Sequence, residues 1–315
     1  VISLRTGRHE LPSNVAVHKI QRKHRLMTLF TFYAVVWRLL LRKRIGFFFI
    51  QMGGPYPLLL LPLKLVTRKP VYQWKTHPHI NLTMRLSALL ADTLIFTANR
   101  RSFPMNLTKV RPVGHGIDVT LFKPQEASPQ ADLVTVGRIT PSKNLEKMIE
   151  AVDVYREKYG KALTLDIIGP CLRTDQEYYL KLHQLITSKG LEDRIAIKPP
   201  VTHSRLPALL NGYSMLLNFS TTGLDKSALE AMACGLPAVS TNPCFADDLA
   251  PELRAELYVP ESDTDAIASR IHRILAMDTQ TRQDFASKLR QEVIDHHAVT
   301  SLFQKIMTQI EATAS

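Results

Sequence analysis

The apolar residues of this chain fall into short runs whose lengths and spacings alternate between those of strands and those of helices. Val1 to Leu4 and Asn14 to Ile20 read as short strands joined by a turn containing Gly7 and Pro12. Leu26 to Leu41 reads as a helix with aromatic and aliphatic residues nearly all round it, which predicts burial against a sheet. Its basic flanks, Arg22, Lys23 and Arg25 on one side and Arg38, Arg42, Lys43 and Arg44 on the other, give a sharper alternative, a helix lying on a membrane. Gly46 to Gln51 is a compact apolar run that predicts a buried parallel strand. Leu58 to Leu65 predicts a helix despite Pro62, Val71 to Trp74 a strand, Leu82 to Ala91 a helix and Thr93 to Ala98 a strand. This is the rhythm of a doubly wound α/β domain.

A polar stretch with Pro129, Glu126 to Ala131, reads as a linker, and the rhythm then restarts. Strands are predicted at Leu133 to Val136, Leu163 to Ile168, Ile195 to Lys198 and Met215 to Phe219, with helices at Leu145 to Glu157, Glu177 to Lys189 and Arg205 to Gly212 between them. The chain is organised around Ser220 to Thr241, a loop, a helix and a strand in quick succession. Gly223 permits a tight backbone, Asp225 or Ser227 can cap, Gly235 suits the position just past the helix, and Pro237 blocks continuation. Such a helix start offers unpaired N–H groups and a partial positive charge, a ready site for phosphate. Beyond Val239 comes a polar stretch with Asp247, Asp248, Glu252 and Glu256, then helices near Asp265 to Met277, Arg282 to Asp295 and Thr300 to Ala312.

Length and composition leave room for two cores in 315 residues. Charge divides the chain more sharply: residues 1 to 125 hold 20 Lys and Arg against 3 Asp and Glu, whereas residues 126 to 315 hold 20 against 25. An anionic partner is therefore expected on the first part, either a membrane surface, a phosphorylated acceptor or nucleic acid. Nucleic acid has only the charge in its favour, because no aromatic single-strand platform or recognition-helix pattern accompanies it. Three cysteines without C-x2-C spacing suit a reducing compartment and offer no zinc site. The longest apolar run, Leu26 to Trp37, is shorter than the ~20 residues of a spanning helix. A soluble, cytoplasmic chain is expected, or one peripheral to the inner face of the cytoplasmic membrane.

Gly223 to Pro237 resembles the signature segment of the family 4 glycosyltransferases, in the branch that carries T-G-L-D-K before L-E-A-M-A-C-G. Gly114-His-Gly-Ile-Asp118 with Leu121-Phe-Lys-Pro124 is similar to the segment that ends that family's first domain. The resemblance implies two Rossmann-like domains facing a cleft, the GT-B architecture. The acceptor-side domain would span residues 1–125 and the donor-binding domain 126–297, with 298–315 a C-terminal helix packing back on the first. It also implies that a strand and helix precede Val1, so the first domain as given would lack its N-terminal strand and helix, on the order of 30 to 40 residues.

The implied activity is transfer of a sugar from a nucleotide-sugar donor, UDP- or GDP-linked, to a glycan, polysaccharide or lipid-linked acceptor. Transfer would retain configuration and need no metal and no further cofactor. Arg138 and Lys143, on a turn after a strand, match the cations the family places on the donor diphosphate, and Gly223, Leu224, Asp225 and Lys226 would complete that clamp. Glu230 matches the family's ribose-binding carboxylate, although Ser227-Ala-Leu-Glu230 also has capping-box spacing. Where the family has a first Glu at the donor sugar, this chain has Thr222. His77 resembles the first-domain histidine near the reacting centre, with His79 and His115 as competitors. Gly169, Pro200 and Val201 would approach the base through backbone groups. A donor-binding protein without transferase activity is the alternative reading.

Overall fold

The first elements of the chain, in order, are strands β1 (Ile2–Ser3) and β2 (His18–Lys19), helix α1 (Arg25–Leu41), strand β3 (Phe48–Gln51), helix α2 (Tyr56–Thr67), strand β4 (Val71–Trp74) and helix α3 (Leu82–Leu90). This computed structural model describes residues 2–3, 15–19, 24–42, 45–51, 56–76, 80–90, 93–103, 105, 107–221, 223–260 and 263–314. Two compact units divide the chain, Val1–Gln73 with Thr83–Thr93, and Trp74–Leu82 with Leu94–Ser315.

In the first unit β1 and β2 run parallel, with Ile2 opposite His18. A small core gathers Val36 of α1, Ile50 of β3, Leu60 and Leu63 of α2 and Val71 of β4, with Phe32, Tyr33 and Leu40 packed at its margin. Tyr33 donates its hydroxyl to the Leu59 carbonyl at 2.5 Å, which ties α1 to α2. The helix buries only this flank. Leu26, Met27, Phe30, Trp37 and Leu41 point outward, so the burial expected all round α1 is not what forms. Spacings of three and four place these residues on one face, and exposed Arg38 and Arg42 adjoin it.

In the second unit β5 (Thr93–Thr97) pairs in parallel with β6 (Val110–Pro112), Ile95 opposite Val110. The larger sheet contains β7 (Leu133–Val136), β8 (Leu165–Ile168), β9 (Ile195–Lys198), β10 (Met215–Asn218) and β11 (Ala238–Ser240), all parallel in the order β11-β10-β7-β8-β9. Helices α4 (Leu145–Tyr159), α5 (Gln176–Ser188), α6 (Leu206–Leu210) and α7 (Lys226–Ala233) connect them. Strands β8 and β10 are buried at every position, as their continuous apolar runs require, whereas edge strand β9 alternates. The chain passes from β7 outward to β8 and β9, then returns to the other side of β7 for β10 and β11. The order therefore reverses between β7 and β10, and a doubly wound sheet binds its ligand outside the carboxyl ends of the strands at such a point.

After β11 come α8 (Pro243–Ala246), α9 (Pro251–Leu257), α10 (Thr264–Leu275), α11 (Thr279–His297) and α12 (Val299–Ala314). Helices α8 and α9 and strand β6 form where sequence patterning gave none, because each is too short to show a period. Proline at the first helical position of α8 and α9 is the local signal that marks them. Ile117 bridges the turn between α11 and α12, donating its N–H to His297 O at 2.7 Å and accepting from Val299 N at 2.9 Å.

Candidate functional site

Strand β7 ends at Val136, and the chain turns through Gly137 and Arg138 into a single 3-10 turn, Pro141–Lys143. Asn144 takes a left-handed conformation, φ 49°, to start α4. A Cβ on Gly137 would stand 3.1 Å from Lys143 Cε, so the lysine stem lies directly across this glycine. A Cβ on Gly169, just past β8, would fall 1.7 Å from the Gly137 carbonyl oxygen. The two strand ends can close only because Gly169 lacks a side chain. Lys143 then meets Asp225 in an ion pair, with less than a fifth of either side chain exposed. Arg138, from the same turn, is exposed.

The segment after β10 reaches the same place. Thr221 donates its N–H to Ser142 O at 3.0 Å, which fastens this segment to the Pro141–Lys143 turn. Gly223 is left-handed at φ +60°, and its carbonyl accepts from Asn242 Nδ2 at 2.7 Å. Leu224 donates its N–H to Ser102 Oγ at 3.4 Å, and its carbonyl faces His115 Nε2 at 3.1 Å. Asp225 is the N-cap of α7, yet its carboxylate makes no cap bond. It turns instead to Lys143 and to Asn218 Nδ2, the latter at 3.0 Å. The N–H groups of the first turn of α7 are thus left without a side-chain cap, on an eight-residue helix beside an ammonium group. Lys226 places Nζ 3.5 Å from Gly116 O.

Glu230 lies one turn into α7 and is buried. Ser227 is the second residue of the helix and not its cap, and its hydroxyl has no partner among the described residues, so no capping box forms. Burial pushes the Glu230 carboxyl up to about 7, with the Lys226 charge opposing and Asp225 adding to the rise. His115 is buried too, and burial with the neighbouring Lys226 charge holds its imidazole down to about 4, hence neutral. Past α7, Cys234 and Gly235 close the helix: Gly235 is left-handed at φ +77°, and Leu236 N donates to Ala231 O at 3.0 Å.

The structure thus gathers Lys143, Gly169, Gly223, Leu224, Asp225 and Lys226 at the reversal point, with Arg138 in the same turn as Lys143 and Glu230 behind them. Pro200 and Val201 follow β9, two strands from β7, and are exposed. His77, His79 and Thr222 lie outside the described residues. Asn99, Ser102, Asn218 and Asn242 were not legible as site residues, since short polar side chains beside apolar strands carry no spacing signal. The chain's Asp-x-Asp spacing, Asp263-Thr264-Asp265, serves α10: Asp263 Oδ1 accepts from Ala266 N at 2.7 Å and Asp265 pairs with Lys158.

A family model described as glycosyl transferases group 1 matches residues 117–292, more than half of the chain. Over 190 residues the chain is 30% identical to WcaL of Escherichia coli K12, a protein assigned as a colanic acid biosynthesis glycosyltransferase, covering 56% of this chain and 45% of that one. Over 153 residues it is 28% identical to the D-inositol 3-phosphate glycosyltransferase of Salinispora tropica, covering 42% and 32%. The chain spans about half the length of the curated relatives it matches, or less. Among solved structures, the sucrose-phosphate synthase of Thermosynechococcus elongatus superposes with a TM-score of 0.76 at 17% identity, over 97% of this chain and 86% of that one. Anabaena HepE in complex with UDP and glucose superposes with a TM-score of 0.74 at 17% identity, over 94% and 86%. At such identities the likeness is one of fold.

Proposed function

The chain belongs to the group 1 glycosyltransferase family, with its GT-B fold, and from that premise we propose that it moves a sugar from a nucleotide-sugar donor to a glycan, polysaccharide or lipid-linked acceptor. The observation that carries the reading is the meeting of Lys143, the uncapped first turn of α7 and the two close-packed glycines at one reversal point of the sheet. Transfer leaves negative charge on the donor's β-phosphate, and fixed cations and N–H dipoles at that position stabilise it in the transition state. Lys143 and Arg138 supply the cations. On donor binding Lys143 exchanges Asp225 for the diphosphate. Glu230 accepts the ribose hydroxyls, which gives a buried carboxylate the partners its lone pairs need. His77 and Thr222 are proposed to meet the donor sugar, and Gly169, Pro200 and Val201 the base and ribose. The transfer retains configuration and uses neither a metal nor a further cofactor.

The acceptor is proposed to lie at the inner face of the cytoplasmic membrane, with the basic first part of the chain touching anionic lipid. The outward apolar face of α1 beside Arg38 and Arg42 supports this contact.

UDP is the first probe because HepE, a structure of similar fold, is described in complex with it. A thermal-shift panel of UDP, GDP, ADP and their sugars tests the reading. One nucleotide diphosphate is expected to raise the melting temperature, the equivalent of about 2.7 kcal/mol at 100 times its dissociation constant. Lys143→Ala and Arg138→Ala are expected to remove that rise. A panel that leaves the melting temperature unchanged throughout removes the proposal, and binding without turnover of any sugar nucleotide leaves a donor-binding protein.

A further inference from the structure

Leu224 is held at three points. Its side chain is buried, its N–H reaches Ser102 Oγ and its carbonyl reaches His115 Nε2. The preceding carbonyl, on Gly223, is held by Asn242. A peptide unit is planar, so fixing a carbonyl also fixes the direction of the following N–H. With Leu224 O aimed at His115, the N–H of Asp225, the N-cap of α7, points the opposite way. With Gly223 O aimed at Asn242, the Leu224 N–H is committed to Ser102. Both peptide planes of the loop are therefore set by side chains outside it.

Those side chains are anchored in turn. Ser102 donates its hydroxyl to Asn99 Oδ1 at 2.9 Å and its N–H to the same oxygen at 2.9 Å. Asn99 donates Nδ2 to Cys244 O at 2.8 Å, and Cys244 donates its N–H to Asn242 Oδ1 at 2.8 Å. The His115 ring stands edge-on to Trp74, with centroids 6.2 Å apart. A carbonyl can only accept, so the imidazole carries its proton on Nε2, and Nδ1 is buried with no partner among the described residues. Asn99, Ser102 and His115 all precede residue 117, where the family match begins.

Resting on the donor reading above, we propose that His115 and Ser102 are positioning residues. From a segment ahead of the matched region they hold the Gly223–Asp225 loop in the form that receives a nucleoside diphosphate. Neither touches the ligand, and each acts through one backbone group of Leu224. A loop fixed before binding loses less entropy when the ligand arrives, so releasing it weakens affinity without removing any ligand contact.

The test measures UDP and GDP binding by calorimetry on the full chain, with hydrogen exchange of residues 223–227 as a second readout. His115→Ala and Ser102→Ala are each expected to weaken binding about tenfold and to speed exchange of that loop, leaving exchange of β7 and α4 unchanged. His115→Gln, whose amide can reach the Leu224 carbonyl, is expected to restore binding to within about threefold of wild type. Should His115→Ala not fold, Ser102→Ala and His115→Gln carry the comparison. Wild-type affinity and unchanged loop exchange in the alanine variants overturn the positioning role alone, as does failure of His115→Gln to recover binding lost in a folded His115→Ala. A wild-type chain that binds neither nucleotide removes the donor reading, and the positioning role with it.

Discussion

The two units use apolar surface in opposite ways. In the second, β8 and β10 are buried at every position and α4, α7, α10 and α11 seal the sheet. In the first, the apolar cluster of buried residues is small, Val36, Ile50, Leu60, Leu63 and Val71, and α1 turns Leu26, Met27, Phe30, Trp37 and Leu41 outward. Most of the large apolar side chains exposed among the described residues belong to this unit, although the second is more than twice as long. Apolar area turned inward fixes one geometry, which suits a loop that must present N–H groups at set positions. Apolar area turned outward leaves a surface with something still to bind.

One methyl group added in each unit separates the two most strongly. Gly169→Ala sets its Cβ 1.7 Å from a backbone oxygen that no rotamer change can move. Gly46→Ala meets nothing within 4 Å among the described residues. Denaturant titration is expected to show the first losing about 3 kcal/mol or more, on the order of the worst overpacking changes, and the second staying within about 0.5 kcal/mol of wild type. Equal losses would deny that the closing of β7 on β8 is tight. Leu217→Ala, a fully buried deletion in β10, comes next, at about 2 to 5 kcal/mol in the same titration.

The contrast between the units also explains what the sequence disclosed. Strands β7 and β9 match their expected bounds to the residue, because each run stops abruptly, at Gly137 after β7 and at Pro199 after β9. Helix α1 was legible as a helix but not as a half-buried one, since an apolar residue reads the same whether it faces a core or solvent. At the site, Gly137, Lys143 and the Gly223 loop stand in recognisable spacing along the chain. The clasp on Leu224 does not: Ser102 is 122 residues from its partner and His115 is 109, and only folding brings such pairs together. Asp225 shows a subtler limit. Its position at the helix start was evident, but the pull of Lys143 and Asn218 on its carboxylate, in place of a cap bond, is set by tertiary contact.

Within the second unit burial also has a cost, and Glu230 bears it. Its carboxyl is held at about 7, above the ordinary 4.5, so between these values the folded chain keeps a proton that the unfolded chain has lost. Stability therefore falls as pH rises through this window and levels off above pH 7, by about 3 to 4 kcal/mol at ~1.4 kcal/mol per pKa unit. Glu230→Gln removes the cost. Its melting temperature is expected to exceed that of wild type at pH 8 and to approach it near pH 4.5, while UDP affinity falls by about 1 to 3 kcal/mol. Asp248, raised to about 7 by its own burial, keeps part of the pH slope in the variant. A Gln variant less stable than wild type at pH 8 would assign Glu230 to the fold and not to the ligand.

The smallest stability effect is expected where the first unit is least buried. Leu26, Phe30 and Leu41 are 81%, 72% and 79% exposed, so replacing all three with serine removes almost no contact within the protein. Chemical denaturation is expected to move by no more than about 0.5 kcal/mol for each. Cosedimentation with phosphatidylglycerol vesicles is expected to fall several-fold, because each lost side chain withdraws apolar area from the bilayer interface. Raising the salt weakens the contribution of Arg38 and Arg42 but leaves the apolar one, so partial retention at high salt is expected of wild type and none of the variant. If instead the variant sediments like wild type and salt releases both, charge alone holds the chain to lipid, and the outward face of α1 has another occupant.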